Sequence, residues 1–425
     1  MKNFFNKKVW LDIISNFKNK KLLSIFFLGF SSGLPLLLVF TTLSAWLRDE
    51  NIVRSTIGFF GWVTIFYGLK FLWAPIIDNI KLPFLYSIFG KRRSWLLLTQ
   101  VLIGVFLFIL ATISPNENNL IIFAVCALFV SFFSASQDII IDAYRIEIAP
   151  LEAQGILTAG YQLGYRAAIL VSGAGALYIA DSYSWEISYK IMSALMLIGL
   201  CTTLLSSEPK GYILKEKKEK KFIFSIFLLP IKDFFLKQKD ALIILIFIAV
   251  YRLSDLSMAV MANPFYLDIG FTLSEIATVT KVFGIIMTLV GAFFGGIIVL
   301  RYGIKKPLYY GSIMIVLTTL MFVLQSIFGN NMNFFITTIA LDNFTGGFSG
   351  TVFIAYLSSL TNPKYTATQY AIFSSIMLVP GKFLSGFSGL VVDNHGYLEL
   401  FLISAILGIP AILISYYLKK KEIRV

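Results

Sequence analysis

The chain has 425 residues, of which 57% are apolar and only 14% charged, and its mean hydropathy is +0.80. A soluble protein carries roughly 25% charged residues and stops enlarging one core near about 250–300 residues. The composition therefore excludes a soluble domain, a disordered chain and a disulfide scaffold, and it indicates a polytopic membrane protein. The net charge of +13 would suit nucleic acid, but the basic residues fall between apolar stretches instead of clustering on a domain.

In chain order, residues 1–21 are polar and basic, and the first apolar run follows without a small-residue cleavage site, so it is expected to be a retained span. Windows of about 20 apolar residues then recur at 22–47, 56–78, 94–113, 119–142, 156–181 and 187–205. After a polar segment they resume at 241–267, 273–298, 306–326, 332–358, 367–391 and 397–418. Only helices suit such windows, because backbone polar groups in hydrocarbon must be satisfied within the segment. The expected fold is all-α with 12 transmembrane helices in two six-helix halves, 22–205 and 241–418. A cytosolic linker at 206–240 joins them, with an amphipathic helix at 222–236, and a short tail follows at 419–425. With a cytosolic N-terminus, 28 of the 36 Lys and Arg residues lie in cytosolic segments and only Arg48 and Arg54 in outward loops. That asymmetry places both termini in the cytosol. Parallel halves, each with a basic loop after its second span, suggest the major facilitator architecture.

Cys126 and Cys201 fall in apolar windows without paired spacing, and His395 is the only histidine. We expect structural thiols, no metal and no cofactor. No phosphate-cradling loop and no nucleophile motif occur, so an ion gradient is the expected energy source.

Ionisable residues inside spans cost on the order of 2.5–3.5 kcal/mol each at a helix centre and so mark partners or wet cavities. Lys70, Arg166, Arg252, Asp255, Asp342 and Lys382 fall near mid-depth, and Lys281 lies nearer the outer face. Asp138, Asp142 and Asp78 lie toward the cytosol. Arg252 and Asp255 are three apart and share a helix face, which suits either an internal ion pair or a transport role. Asp138 and Asp142 are four apart. Asp142, beside Arg145 and Glu147, suits a cytosolic gate, whereas Asp138 suits packing or coupling. Basic groups outnumber acidic ones among the deep charges, which favours an anionic cargo. Tyr161, Tyr165 and Tyr251 lie at similar depth and suit either stacking on a ligand or packing between helices.

Several strings resemble the muropeptide permease (AmpG-like) family within the major facilitator group. They include Gly29-Phe-Ser-Ser-Gly-Leu-Pro35, Lys70-Phe-Leu-Trp-Ala-Pro-Ile-Ile-Asp78, Gly90-Lys-Arg-Arg-Ser-Trp-Leu96 and Ser134-Ala-Ser-Gln-Asp-Ile139. Gly164-Tyr-Arg166, Tyr251-Arg-Leu-Ser-Asp255 and Asp342-Asn-Phe-Thr-Gly-Gly347 follow in the expected order. The resemblance implies a proton-coupled importer, not an enzyme, in the bacterial inner membrane. Its cargo would be GlcNAc-anhydro-MurNAc-peptides, recovered during peptidoglycan recycling. On that reading, cargo would meet Lys70, Arg166, Arg252 and Lys382 with Tyr161, Tyr165 and Tyr251. The proton would ride on Asp255, Asp138 or Asp342. Asp78, Lys91, Arg92, Arg93, Asp142 and Arg145 would form an inner gate. The expected partners are an anionic sugar-peptide, protons and the lipid bilayer, with no nucleic acid, and the expected state is a monomer. Alternatives with the same fold are an importer of another anion, such as acetyl-CoA, and a drug exporter.

Overall fold

The computed structural model describes residues 20–116, 118–149, 154–209, 223–362 and 366–420, and among them the chain is helical with no strand. Ten helices among the described residues are long and apolar enough to cross a membrane. Of the twelve expected windows, the second breaks into short pieces, from Arg54–Phe60 to Ala74–Asn79, with Pro75 in the first turn of the last piece. Proline fits there because the first helical N–H groups have no partner within the helix. The tenth window is one continuous helix, Met332–Ser359, whose Thr, Asn, Asp and Gly residues dilute its hydropathy. Residues such as Ile121, Leu205 and Leu300 stand exposed on the surface, which suits hydrocarbon and not water. Cys126 is buried as expected, but Cys201 is exposed on one of these apolar faces.

Packing divides the chain into two compact units. The first comprises Met1–Val39 with Leu72–Lys217, and the second comprises Phe40–Phe71 with Lys218–Val425. In the first unit, helix Lys20–Leu38 lies against helix Gln154–Leu170 almost backbone to backbone. A Cβ on Gly164 would stand 1.9 Å from the Phe26 carbonyl oxygen, so only glycine permits that approach. The apolar core of this unit gathers Leu22, Ile25, Leu28, Leu96, Ile140 and Tyr144.

The second unit repeats the device with helices Gly284–Tyr302 and Met332–Ser359, where a Cβ on Gly347 would stand 2.0 Å from the Thr288 carbonyl oxygen. Its core is aromatic: Phe247, Tyr251, Phe353 and Tyr356 pack together, with Tyr251 and Phe353 stacked at 4.2 Å. The segment Phe40–Phe71 belongs here because its pieces pack on helices of this unit. Trp62 stacks on Phe383 at 5.8 Å and donates to the Phe383 carbonyl at 2.9 Å. Helix Ile223–Lys237, at the place of the expected amphipathic helix, buries Phe234 against Phe373. Its Asp233 accepts from Asn362 at 2.8 Å, and Gln369 donates to the Pro230 carbonyl at 2.9 Å.

Candidate functional site

In the second unit a cavity of about 390 Å³ opens among Arg252, Asp255, Lys281, Asp342, Asn263 and Thr41. Helix Ala241–Val250 ends just before Arg252 and a new helix begins at Leu253, so the guanidinium and Asp255 sit at a discontinuity in the span. Arg252 Nε donates to Asp255 Oδ2 at 2.6 Å, the pair that helix spacing foretold. Asp255 Oδ1 and Thr41 Oγ1 are buried with no hydrogen-bond partner among the described residues. Lys281 rides on the π-helical segment Ala277–Phe283, where the extra residue per turn displaces the local register. Asp342 comes from the middle of Met332–Ser359.

Lys382 is also in this unit but does not line that cavity. Its ammonium is buried, donates to the Thr64 carbonyl at 3.1 Å and lies over the rings of Phe40 and Tyr67. Tyr251 is packed in the aromatic core, and Lys70 is half-buried in the turn Lys70–Leu72.

The first unit carries a separate polar cluster. Ser32 Oγ donates to Asp138 at 2.5 Å and lies 2.8 Å from the Tyr161 hydroxyl, while Ser31 and Gln137 exchange hydrogen bonds. Tyr165 stands beside Tyr161, with ring centroids 6.0 Å apart, and Arg166 is exposed. The Ser31-Ser32 step inside an apolar helix was legible as small residues, but its attachment to Asp138 was not.

At one end of the first unit, Arg92 grips Glu147 in a two-pronged contact at 2.9 and 2.6 Å, and the backbone N–H groups of Arg92 and Arg93 cap on Glu208. Arg93 also donates to the Thr203 and Leu204 carbonyls, and Lys91 opens the same helix. Asp142 pairs with Arg145 at 3.5 Å, and Arg145 donates to Thr158. Asp78 lies in helix Ala74–Asn79, with its side chain outside the described ones. Sequence reasoning missed Glu208 and a second cluster, in the other unit. There Asp268 accepts from Arg48, from Arg54 at 2.8 Å and from Tyr397 at 2.5 Å. Arg54 also reaches Asp393 at 3.6 Å. These acidic residues lie in loops or at helix ends, where a charge by itself carries no signal.

A helical membrane protein with balanced charges gathered around an internal cavity has the construction of a secondary transporter. The sequence profile of the Major Facilitator Superfamily matches residues 22–381 and 253–424. The chain belongs to that superfamily, and within it to the AmpG-like permeases. It is 34% identical to the transporter named AmpG 4 of Rickettsia conorii (strain ATCC VR-613 / Malish 7) over 416 residues, 97% of this chain and 99% of the relative. It is 35% identical to the anhydromuropeptide permease of Escherichia coli (strain K12) over 389 residues, 91% of this chain and 77% of that one. The fold is similar to that of a D-xylose-proton symporter (TM-score 0.68, 14% identity, 95% of this chain and 97% of that one). It is also similar to that of the nucleoside transporter NupG (TM-score 0.67, 16% identity, 94% and 98%). Relatives over most of the chain are named as transporters and permeases, so the protein is a multi-pass transporter and not an enzyme.

Proposed function

We propose that the protein imports anhydromuropeptides from periplasm to cytosol across the inner membrane by proton-coupled alternating access, as a monomer of two six-span halves with both termini cytosolic. The observation that carries this reading is the 35% identity to an anhydromuropeptide permease along nearly the whole chain. Arg252, held by a carboxylate at the edge of a cavity, supports it. Protonation of Asp255 would remove the negative charge that holds the guanidinium and release it to a cargo carboxylate. Asp138, tied to Ser32, is the second proton candidate. Arg166, Lys70 and Lys382 add positive charge for the cargo, and Tyr161 and Tyr165 offer stacking faces. We assign Tyr251 to packing. The contacts of Arg92, Arg93, Asp142 and Arg145, with Lys91 and Asp78 nearby, would set the inner gate.

The test is uptake of labelled anhydromuropeptide into proteoliposomes with an acid-outside gradient. Accumulation that a protonophore abolishes, and that Asp255→Asn and Asp138→Asn both lose while the protein stays folded, is expected. Absence of uptake by correctly oriented wild-type protein would refute the cargo, and gradient-independent accumulation would refute the coupling.

A further inference from the structure

The cavity of the second unit holds four formal charges that sum to zero. Arg252 and Asp255 neutralise one another directly. Lys281 and Asp342 line the same cavity, yet among the described residues no hydrogen bond or ion pair reaches either of them. Two buried hydrogen-bonding atoms at the same walls, Thr41 Oγ1 and Asp255 Oδ1, have no partner either. Charges that deep are costly unless a counter-charge meets them. Here one cation and one anion line the same cavity, no ion pair among the described residues joins them, and Asp342 lies within electrostatic reach of the Arg252–Asp255 pair. A purely anionic ligand would satisfy Lys281 and leave Asp342 opposed. A zwitterion satisfies both.

We infer that this cavity reads a zwitterionic end of the cargo, an amino group beside a carboxylate, with Lys281 taking the carboxylate and Asp342 the ammonium. This rests on the proposed muropeptide cargo and deepens it: the peptide end would lie in this cavity, and a free amine would be a specificity element equal to the carboxylate. Arg252 and Asp255, already paired, would contribute only after the proton arrives. Asp255 Oδ1 and Thr41 would then serve the amide groups next to that end. Lys281 sits on a π-helical segment. Such segments recur where a side chain has to be aimed at a ligand.

The experiment is equilibrium binding to the purified full chain in detergent. Three forms of one probe are compared, each a GlcNAc-anhydro-MurNAc-peptide ending in a diamino acid: unmodified, acetylated on the free amine, and amidated on the terminal carboxyl. For wild-type protein each modification is expected to weaken binding by roughly tenfold or more, the effect of losing one charge contact in a desolvated site. Asp342→Asn should bind the unmodified and acetylated probes equally, and Lys281→Gln the unmodified and amidated ones. Equal wild-type binding of the free and acetylated probes would overturn the inference and leave the muropeptide reading standing. If wild-type protein of unchanged thermal stability binds no form, that reading falls, and the inference falls with it. The comparison of the three probes on wild-type protein decides the matter even if a variant fails to fold.

Discussion

Replacing Asp268 by Asn tests whether the cluster that ties Phe40–Phe71 to the rest of its unit holds that segment in place. The substitution keeps the shape and one acceptor but removes the charge that receives Arg48, Arg54 and Tyr397. Asp268 is 12% exposed, and the two arginines are 19% and 29% exposed, so solvent screens part of each attraction. Hydrogen bonds to charged groups contribute about 1.5–3 kcal/mol when well shielded, and exposed ion pairs about 0.2–1 kcal/mol. Intermediate exposure gives about 1 kcal/mol for each arginine. Some further loss comes at Tyr397, offset because Asn can still accept one bond. The expected destabilisation is about 2–3 kcal/mol, read as a lower unfolding temperature by tryptophan fluorescence in detergent, since Trp46 and Trp62 lie in the affected segment. Near 1 M salt, where the Debye length is about 3 Å, the gap between wild type and variant should narrow. The double variant Arg54→Gln/Asp268→Asn should lose less than the two single losses added together. An unchanged unfolding temperature, or strict additivity, would refute the assignment.

Gly347→Ala is expected to cost about 1–3 kcal/mol, because its Cβ meets the Thr288 carbonyl and the helices must part. Gly346→Ala, one residue away with nothing within 4 Å, should be neutral or stabilising by up to about 1 kcal/mol; thermal unfolding of the pair separates packing from propensity. Glu147→Gln removes the carboxylate that accepts two hydrogen bonds from the buried Arg92 guanidinium and should cost about 1.5–3 kcal/mol, seen as a drop in unfolding temperature. The hydrogen bond from Asn362, with help from Lys237 and Gln369, holds the Asp233 carboxyl below its ordinary range. A depressed carboxyl stabilises the fold above its unfolded-state value and loses that contribution as pH falls through the folded-state value. The difference in unfolding temperature between wild type and Asp233→Asn should therefore be present at neutral pH and vanish below the ordinary carboxylate range.

What the sequence by itself determined is what depends on neighbours along the chain. Hydropathy over twenty residues marks each long span, and a three-residue spacing is enough to pair Arg252 with Asp255. The same holds for Asp142 and Arg145. Family strings such as Ser134-Ala-Ser-Gln-Asp-Ile139 pointed to the permease group without any contact being known.

Only the tertiary structure decided which distant groups share a site. Asp138 and Asp142 lie on one helix face, yet one is bound to Ser32 and the other to Arg145. Lys382, counted with the deep cations, is held by the Thr64 carbonyl 318 positions away. Lys281 and Asp342, by contrast, line a cavity, and among the described residues no hydrogen bond or ion pair reaches them. Periodicity gives the direction of a side chain around its own helix axis, but the azimuth and register of the facing helix are set by packing. In these units that packing is governed by close glycine approaches at Gly164 and Gly347. A charge therefore becomes a gate, a structural clamp or a binding group according to the neighbour that packing brings to it, and that neighbour lies too far along the chain for any local pattern to encode.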